Sequence, residues 1–310
     1  MDRLRAALIG AGLGVLAALP VPAPAGAAEV VTAVGTVPGA HDIAVNSHGT
    51  VFVTDPQRRR VMTIGTDGRP TLFADQIAGP SGLAVDAQDN IYVGTSAGRV
   101  LRFAPDGTRS VAAAGRAAVL AVTVDDEGTV SWADASAVWR VANGKPVRYA
   151  QVPHPTALVA DHNGNLFVAT GTQIVELTPI GTRLTVASSG ARALAVDASD
   201  TLYAGDGCTV RRFPAGDAPE PAPTPGPCTG SLVAAAPGVL YAADARTGAI
   251  TRIAPAVPPL VPPAPNAPVV VSEAPPAKGD DPRPVLVIFA AVALAAAVGG
   301  SLAHRRRPAR

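Results

Sequence analysis

Ile43-Ala44-Val45-Asn46-Ser47-His48-Gly49-Thr50-Val51-Phe52-Val53 is answered 40 residues later by Leu83-Ala84-Val85-Asp86-Ala87-Gln88-Asp89-Asn90-Ile91-Tyr92-Val93. The same phrase returns at 122–132, 158–168, 194–204 and 232–242. Its fourth residue, an anchor, is Asn46, Asp86, Asp125, Asp161, Asp197 or Ala235, at intervals of 36 to 40 residues. Six units spaced this evenly form an internal repeat, and a repeat of this period decides the architecture before any motif does.

Each unit reads as four strands. A short apolar run comes first, then a tight turn with Gly49, Gly128, Gly164 or Gly238 three residues past the anchor, and Asp89 or Asp200 in the other two units. Gly and Asp tolerate the left-handed backbone such turns need. The second strand carries Phe52, Tyr92, Phe167, Tyr203 or Tyr241 in five of the units. A third strand follows, as in Val100-Leu101-Arg102-Phe103, and turns such as Pro105-Asp106-Gly107 lead into the fourth. No unit shows a helical period.

A four-stranded blade cannot bury both faces alone, and stacking six around an axis solves that. The sixth unit stops after its third strand at Ile253, while Val30 to Val34 precede the first unit without a partner. The expectation is an all-β, six-bladed β-propeller over residues 29–254, with the N-terminal segment closing blade six.

The phrase Pro80-Ser81-Gly82-Leu83-Ala84-Val85-Asp86, continued through Asn90-Ile91-Tyr92-Val93 to Arg99-Val100, resembles an NHL repeat. Similar repeats build the extracellular sensor propellers of bacterial kinases and the wider lactonase and streptogramin-lyase propellers. The resemblance implies the fold, and it leaves function open because these propellers include both binding modules and enzymes.

The two ends speak to location. Arg3 and Arg5, the apolar run Ala6 to Val21 and the small residues Ala25-Gly26-Ala27-Ala28 make residues 1–28 a secretory signal, cleaved after Ala27 or Ala28. Residues 285–303 carry no charge and as a helix rise about 28 Å, enough to cross a bilayer core. The tail at 304–310 holds Arg305, Arg306, Arg307 and Arg310, which keep it cytoplasmic and the propeller outside. The expectation is a single-pass cell-membrane protein on a proline-rich linker at 255–284. Lysine is nearly absent beside arginine, a bias that hints at a high-GC bacterium. A formal net charge of +1 gives no pull toward nucleic acid.

Propeller topology places the second-to-third strand turns and the links between blades on one face, called the top here. Cys208 and Cys228 both fall there, in adjacent positions, and an exported chain keeps disulfides, so the pair is expected to be bridged. Residues 214–227 between them are too rich in proline for a regular outer strand.

Nine residues past the anchors stand Asp55, Thr95, Asp134, Thr170, Asp206 and Asp244. They read as acceptors for their own turn amides rather than as metal ligands. Arg102, Arg140, Arg212 and Arg252 recur on third strands and read as inter-blade pairs. At the inner-strand entrances stand His41, Ser81, Leu120, Thr156, Arg192 and Gly230, each followed by Asp42, Gly82, Ala121, Ala157, Ala193 or Ser231. One carboxylate in twelve positions is a poor set for a hard cation, so neither a metal nor another cofactor is expected. His41 and His154 invite an acid–base pair, yet without a supporting glutamate they read as solvated loop histidines. No catalytic residue is assigned. The expected role is an extracellular binding module for a protein, peptide or cell-envelope glycan, with His41, Arg58, Arg59, His154 and Arg192 as its top-face residues. The alternatives are a metal-dependent hydrolase or lyase of the lactonase–lyase type and a purely structural spacer.

Overall fold

The computed structural model describes residues 29–214, 220–222 and 229–255. The expected signal, linker, spanning helix, basic tail and Cys228 lie outside those residues. Among the described residues no helix is long and apolar enough to cross a membrane.

Strand β1 (Glu29–Thr36) comes first. Blade one is β2 (Ile43–Val45), β3 (Val51–Asp55), β4 (Arg60–Ile64) and β5 (Pro70–Ala74). Blade two is β6 (Pro80–Val85), β7 (Ile91–Thr95), β8 (Arg99–Phe103) and β9 (Arg109–Ala114). Blade three is β10 (Ala121–Val124), β11 (Val130–Ala133), β12 (Ala137–Ala142) and β13 (Lys145–Gln151). Blade four is β14 (Pro155–Ala160), β15 (Leu166–Thr170), β16 (Ile174–Leu177) and β17 (Arg183–Ala187). Blade five is β18 (Ala193–Val196), β19 (Leu202–Asp206), β20 (Thr209–Phe213) and β21 (Glu220–Ala222). Blade six is β22 (Thr229–Ala236), β23 (Val239–Asp244) and β24 (Ala249–Pro255), completed by β1.

All six sheets have four strands in antiparallel order, so the all-β six-bladed propeller is the fold. Strand β1 pairs with β24 from Glu29 opposite Pro255 to Thr36 opposite Ala249, with a bulge between Ala33 and Gly35. The ring is thus closed by joining the N-terminal strand to the last blade, as the unpartnered segment at 30–34 suggested.

Stacking is an apolar affair between neighbours. Six buried clusters fill the six interfaces: Ile43, Met62 and Ile250 join blades six and one, and Phe52, Leu83 and Phe103 join one and two. Tyr92, Val122 and Trp132 serve two and three, and Val138, Leu158 and Val175 serve three and four. Ile174, Leu194 and Phe213 serve four and five, with Tyr203, Leu232 and Ile253 at five and six. Second strands such as β3 and β7 are buried throughout because both their faces meet a neighbouring blade.

The bottom turns explain where Asp replaces Gly. Asp89 and Asp200 hold φ of 60° and 56°, a left-handed conformation that disfavours ordinary side chains. Each offsets that strain by gripping the preceding blade. Asp89 accepts from the Ser47 amide at 2.9 Å and hydroxyl at 2.7 Å, with His48 Nδ1 at 3.1 Å. Asp200 meets His162 Nδ1 at 2.8 Å and accepts from Asn163 Nδ2 at 3.1 Å.

Two expectations need correction. A short outer strand does form in the proline-rich segment: β21 pairs with β20, Glu220 opposite Arg212 and Ala222 opposite Val210. An edge strand bonds a neighbour on one side only and through alternate residues, so proline is admissible at its free positions. Two of the third-strand arginines, Arg102 and Arg140, also pair within their own blades rather than between blades. Arg102 donates to Asn90 Oδ1 at 2.8 Å, and Arg140 to Asp125 Oδ2.

Candidate binding site at the channel mouth

The first strand of every blade lines a central channel of about 250 Å³. Its lining runs through Ala44, Leu83, Val122, Leu158, Leu194 and Leu232, whose side chains are buried between the blades. Polar groups gather at the top mouth, where the chain enters each first strand.

Most of those groups are spent on holding the ring together. The Thr54 hydroxyl donates to the Ser81 carbonyl at 3.0 Å, tying blade one to blade two. The Ser81 hydroxyl donates to the Val119 carbonyl at 2.6 Å, and the Thr156 hydroxyl to the Ala191 carbonyl at 2.5 Å. At the closure, the Ser231 hydroxyl donates to Asp42 Oδ1 at 2.5 Å.

Asp42 is the hub of this belt. Its Oδ1 also accepts from the Ile43 amide at 3.0 Å, and its Oδ2 from the Leu83 amide at 2.7 Å, so one carboxylate binds blades six, one and two. Burial pushes the Asp42 carboxyl up. The Ser231 hydroxyl, the Leu83 amide, neighbouring His41 and the Ile43 amide pull it the other way. The sequence placed Asp42 and Ser231 at equivalent entrances but gave no sign that they touch, because they are brought together only by closure.

The five expected top-face residues divide. His41 and Arg192 are exposed and line the channel. Neither side chain makes an ion pair or a hydrogen bond to any described residue. Gly230 stands between their blades, and a Cβ there would come within 2.6 Å of the Ala245 Cβ, so the position is kept bare by packing. Arg58 is anchored: it donates to the Pro38 carbonyl at 2.9 Å and pairs with the buried Asp55 at 3.2 Å. Arg59 is exposed at φ 56° in the turn between β3 and β4, and His154 at φ 52° in the link before β14. Neither lines the channel. His41 and His154 enter from blades one and four, on opposite sides of the ring, so they do not form an acid–base pair.

Five of the six turn acceptors behave as read. Asp55 takes the Arg58 amide, Asp134 the Ser136 and Ala137 amides, and Asp244 the Arg246 and Thr247 amides. Thr95 takes the Arg99 amide, and Thr170 the Thr172 and Gln173 amides. Asp206 is the exposed member of the series. Among the described residues no three His, Cys, Asp or Glu side chains gather as a metal-ligand group. Cys208 lies in the turn between β19 and β20, on the top face.

The family described as Strictosidine synthase-like, N-terminal, matches residues 71–103. No curated protein matches the chain in sequence. Among solved structures, virginiamycin B lyase from Staphylococcus aureus aligns with a TM-score of 0.57 at 14% identity, over 73% of this chain and 99% of that one. A gluconolactonase from Xanthomonas campestris aligns with a TM-score of 0.63 at 19% identity, over 72% and 89% of the two chains. A protein of unknown function from Bacteroides thetaiotaomicron aligns with a TM-score of 0.63 at 14% identity, over 73% and 76%. At these identities the likeness is one of fold: the chain shares the six-bladed propeller of the gluconolactonase and streptogramin-lyase structures.

Proposed function

We propose that this chain is a membrane-anchored binding module whose propeller stands outside the cell and captures a protein, peptide or envelope glycan on its top face. The observation that carries the reading is the division of labour at the channel mouth. The carboxylate and hydroxyls there are engaged in the inter-blade belt, whereas His41 and Arg192 are exposed and make no hydrogen bond or ion pair to any described residue. The export signal, the apolar stretch at 285–303 and the arginines after it support the anchoring, and the proline-rich segment between would act as a stand-off spacer. The NHL-type repeat and the Cys208–Cys228 bridge belong to the same reading.

The second reading is a metal-dependent hydrolase or lyase, taken from what the gluconolactonase and virginiamycin B lyase are named for. It is favoured by Asp42 lying beside His41 at the mouth. The donor set does not fit a metal, because Asp42 is already engaged by Leu83, Ile43 and Ser231 and no second carboxylate joins it among the described channel-lining residues. Incubating the full chain with a panel of lactones and streptogramin B compounds, with and without chelator, separates the readings. The binding module turns over none of them, and chelator-sensitive turnover overturns it.

A further inference from the structure

The mouth of the channel is an oxyanion receptor: we propose that Arg192 and His41 hold a carboxylate or phosphate group carried by a sugar. The proposal rests on the binding-module reading and names the chemistry of its ligand.

Three observations converge on it. The first is charge. Of the side chains at the six entrances, Arg192 carries a fixed positive charge and His41 offers ring nitrogens, and neither is hydrogen-bonded to a described residue. The one carboxylate nearby, Asp42, is directed into the belt by two backbone amides and the Ser231 hydroxyl. An anion at the mouth therefore meets donors before it meets a competing acceptor.

The second is room. Arg192 enters from blade five and His41 from blade one, and blade six between them contributes Gly230, which carries no side chain. Leu120 and Thr156 complete the rim, and the Thr156 hydroxyl is occupied by the Ala191 carbonyl. A planar guanidinium suits two-point binding of a carboxylate or phosphate. The channel of about 250 Å³ is small, so a single acidic sugar residue can seat at the mouth while the rest of its chain stays outside.

The third is the surrounding face. Arg59, Arg116 and Arg246 are exposed on top loops, while Asp55, Asp134 and Asp244 are buried beneath their own turns. Among the described residues, Asp75 and Asp206 are the exposed carboxylates of that face. The outward surface is thus more cationic than the face's composition, which favours an acidic polysaccharide over a neutral one.

The test is ligand-observed NMR on the detergent-solubilised full chain with glucuronate, glucose 6-phosphate and neutral glucose. Either acid binds and glucose does not, and the stronger of the two identifies the natural group as carboxylate or phosphate. Arg192→Gln weakens the bound acid about tenfold, the scale of one charge-assisted contact. His41→Gln weakens it less, and Arg69→Gln on the bottom face has no effect. Both mouth side chains are exposed and bond no described residue, so circular dichroism of these variants stays that of the parent. Equal binding of glucose and the acids, or binding indifferent to Arg192→Gln, overturns the proposal. If no sugar binds while an acidic peptide does so through Arg192, the sugar assignment fails and the binding module stands. Conversion of any of the three to product refutes the binding-module reading itself.

Discussion

Asp42→Ala removes the acceptor that ties three blades at the closure, and its cost can be worked from the contacts. The carboxylate accepts from the Leu83 amide at 2.7 Å, the Ile43 amide at 3.0 Å and the Ser231 hydroxyl at 2.5 Å. The three losses do not add. The Ile43 amide keeps the Ser231 oxygen at 3.2 Å, and the freed hydroxyl can rotate to another acceptor. Removing a carboxyl whose ionised form burial disfavours also returns some energy. What remains is the Leu83 amide, orphaned between two blades, and a buried unpaired donor costs about 1–3 kcal/mol. For a domain of this size about 1 kcal/mol moves Tm by roughly 2–4 °C, so the expected fall is about 2–12 °C. Trp132 and Trp139 stack at 6.3 Å in blade three and are the chain's two tryptophans, so their fluorescence reports unfolding far from the substitution. The transition seen there should shift as a single step. Asp42→Asn keeps an acceptor and should lose less, and exposed Asp75→Ala should change nothing. An unchanged Tm for Asp42→Ala would refute the belt as a structural device.

Deleting Glu29 to Thr36 leaves β24 an open edge, so the variant should melt well below the parent and aggregate on concentration; an unchanged cooperative transition contradicts the closure. The His162–Asp200 contact between blades four and five gives a pH signature. Asp200 raises His162, assisted by Asp126 and Asp161, and His162 in turn lowers Asp200. The contribution of Asp200 is present above the ordinary carboxylate range and is lost as pH falls through its lowered value. That of His162 is present below the ordinary histidine value and is lost as pH rises through its raised one. The window therefore lies between them. Both groups are partly exposed, so the effect is under about 1 kcal/mol, and His162→Gln should abolish a shallow loss of Tm as the pH rises above the ordinary histidine value. The Cys208–Cys228 bridge predicts a full chain two hydrogen masses lighter without reductant and a lower Tm after reduction; two thiols that alkylate without reductant contradict it.

How much of this was legible in the sequence depends on range. The phrase that starts at Ile43 and Leu83 carries strand, turn and strand within a dozen residues, so the blades could be counted from it. Closure was legible because Val30 to Val34 lacked a partner and blade six lacked a strand. The turn acceptors Asp55, Asp134 and Thr170 were legible because they bond amides two or three residues away. The mouth was legible only as a set of positions. Asp42 and Ser231 lie 189 residues apart, and nothing local says that one donates to the other. Likewise Arg58 read as a free top-face cation until the fold brought the Pro38 carbonyl to it. Strand β21 went unseen because proline density was weighed over the whole stretch, whereas an edge strand asks only for a few alternate amides.

The most direct test of the binding-module account is photocrosslinking on living cells. A photoreactive residue replaces Leu120 at the channel mouth in one strain and Asp126 on the bottom face in another, with Arg192 and His41 intact in both. The account predicts that the mouth position captures an envelope component, that the bottom position does not, and that adding Arg192→Gln abolishes the capture. Equal capture from both faces, or none from the mouth, contradicts it.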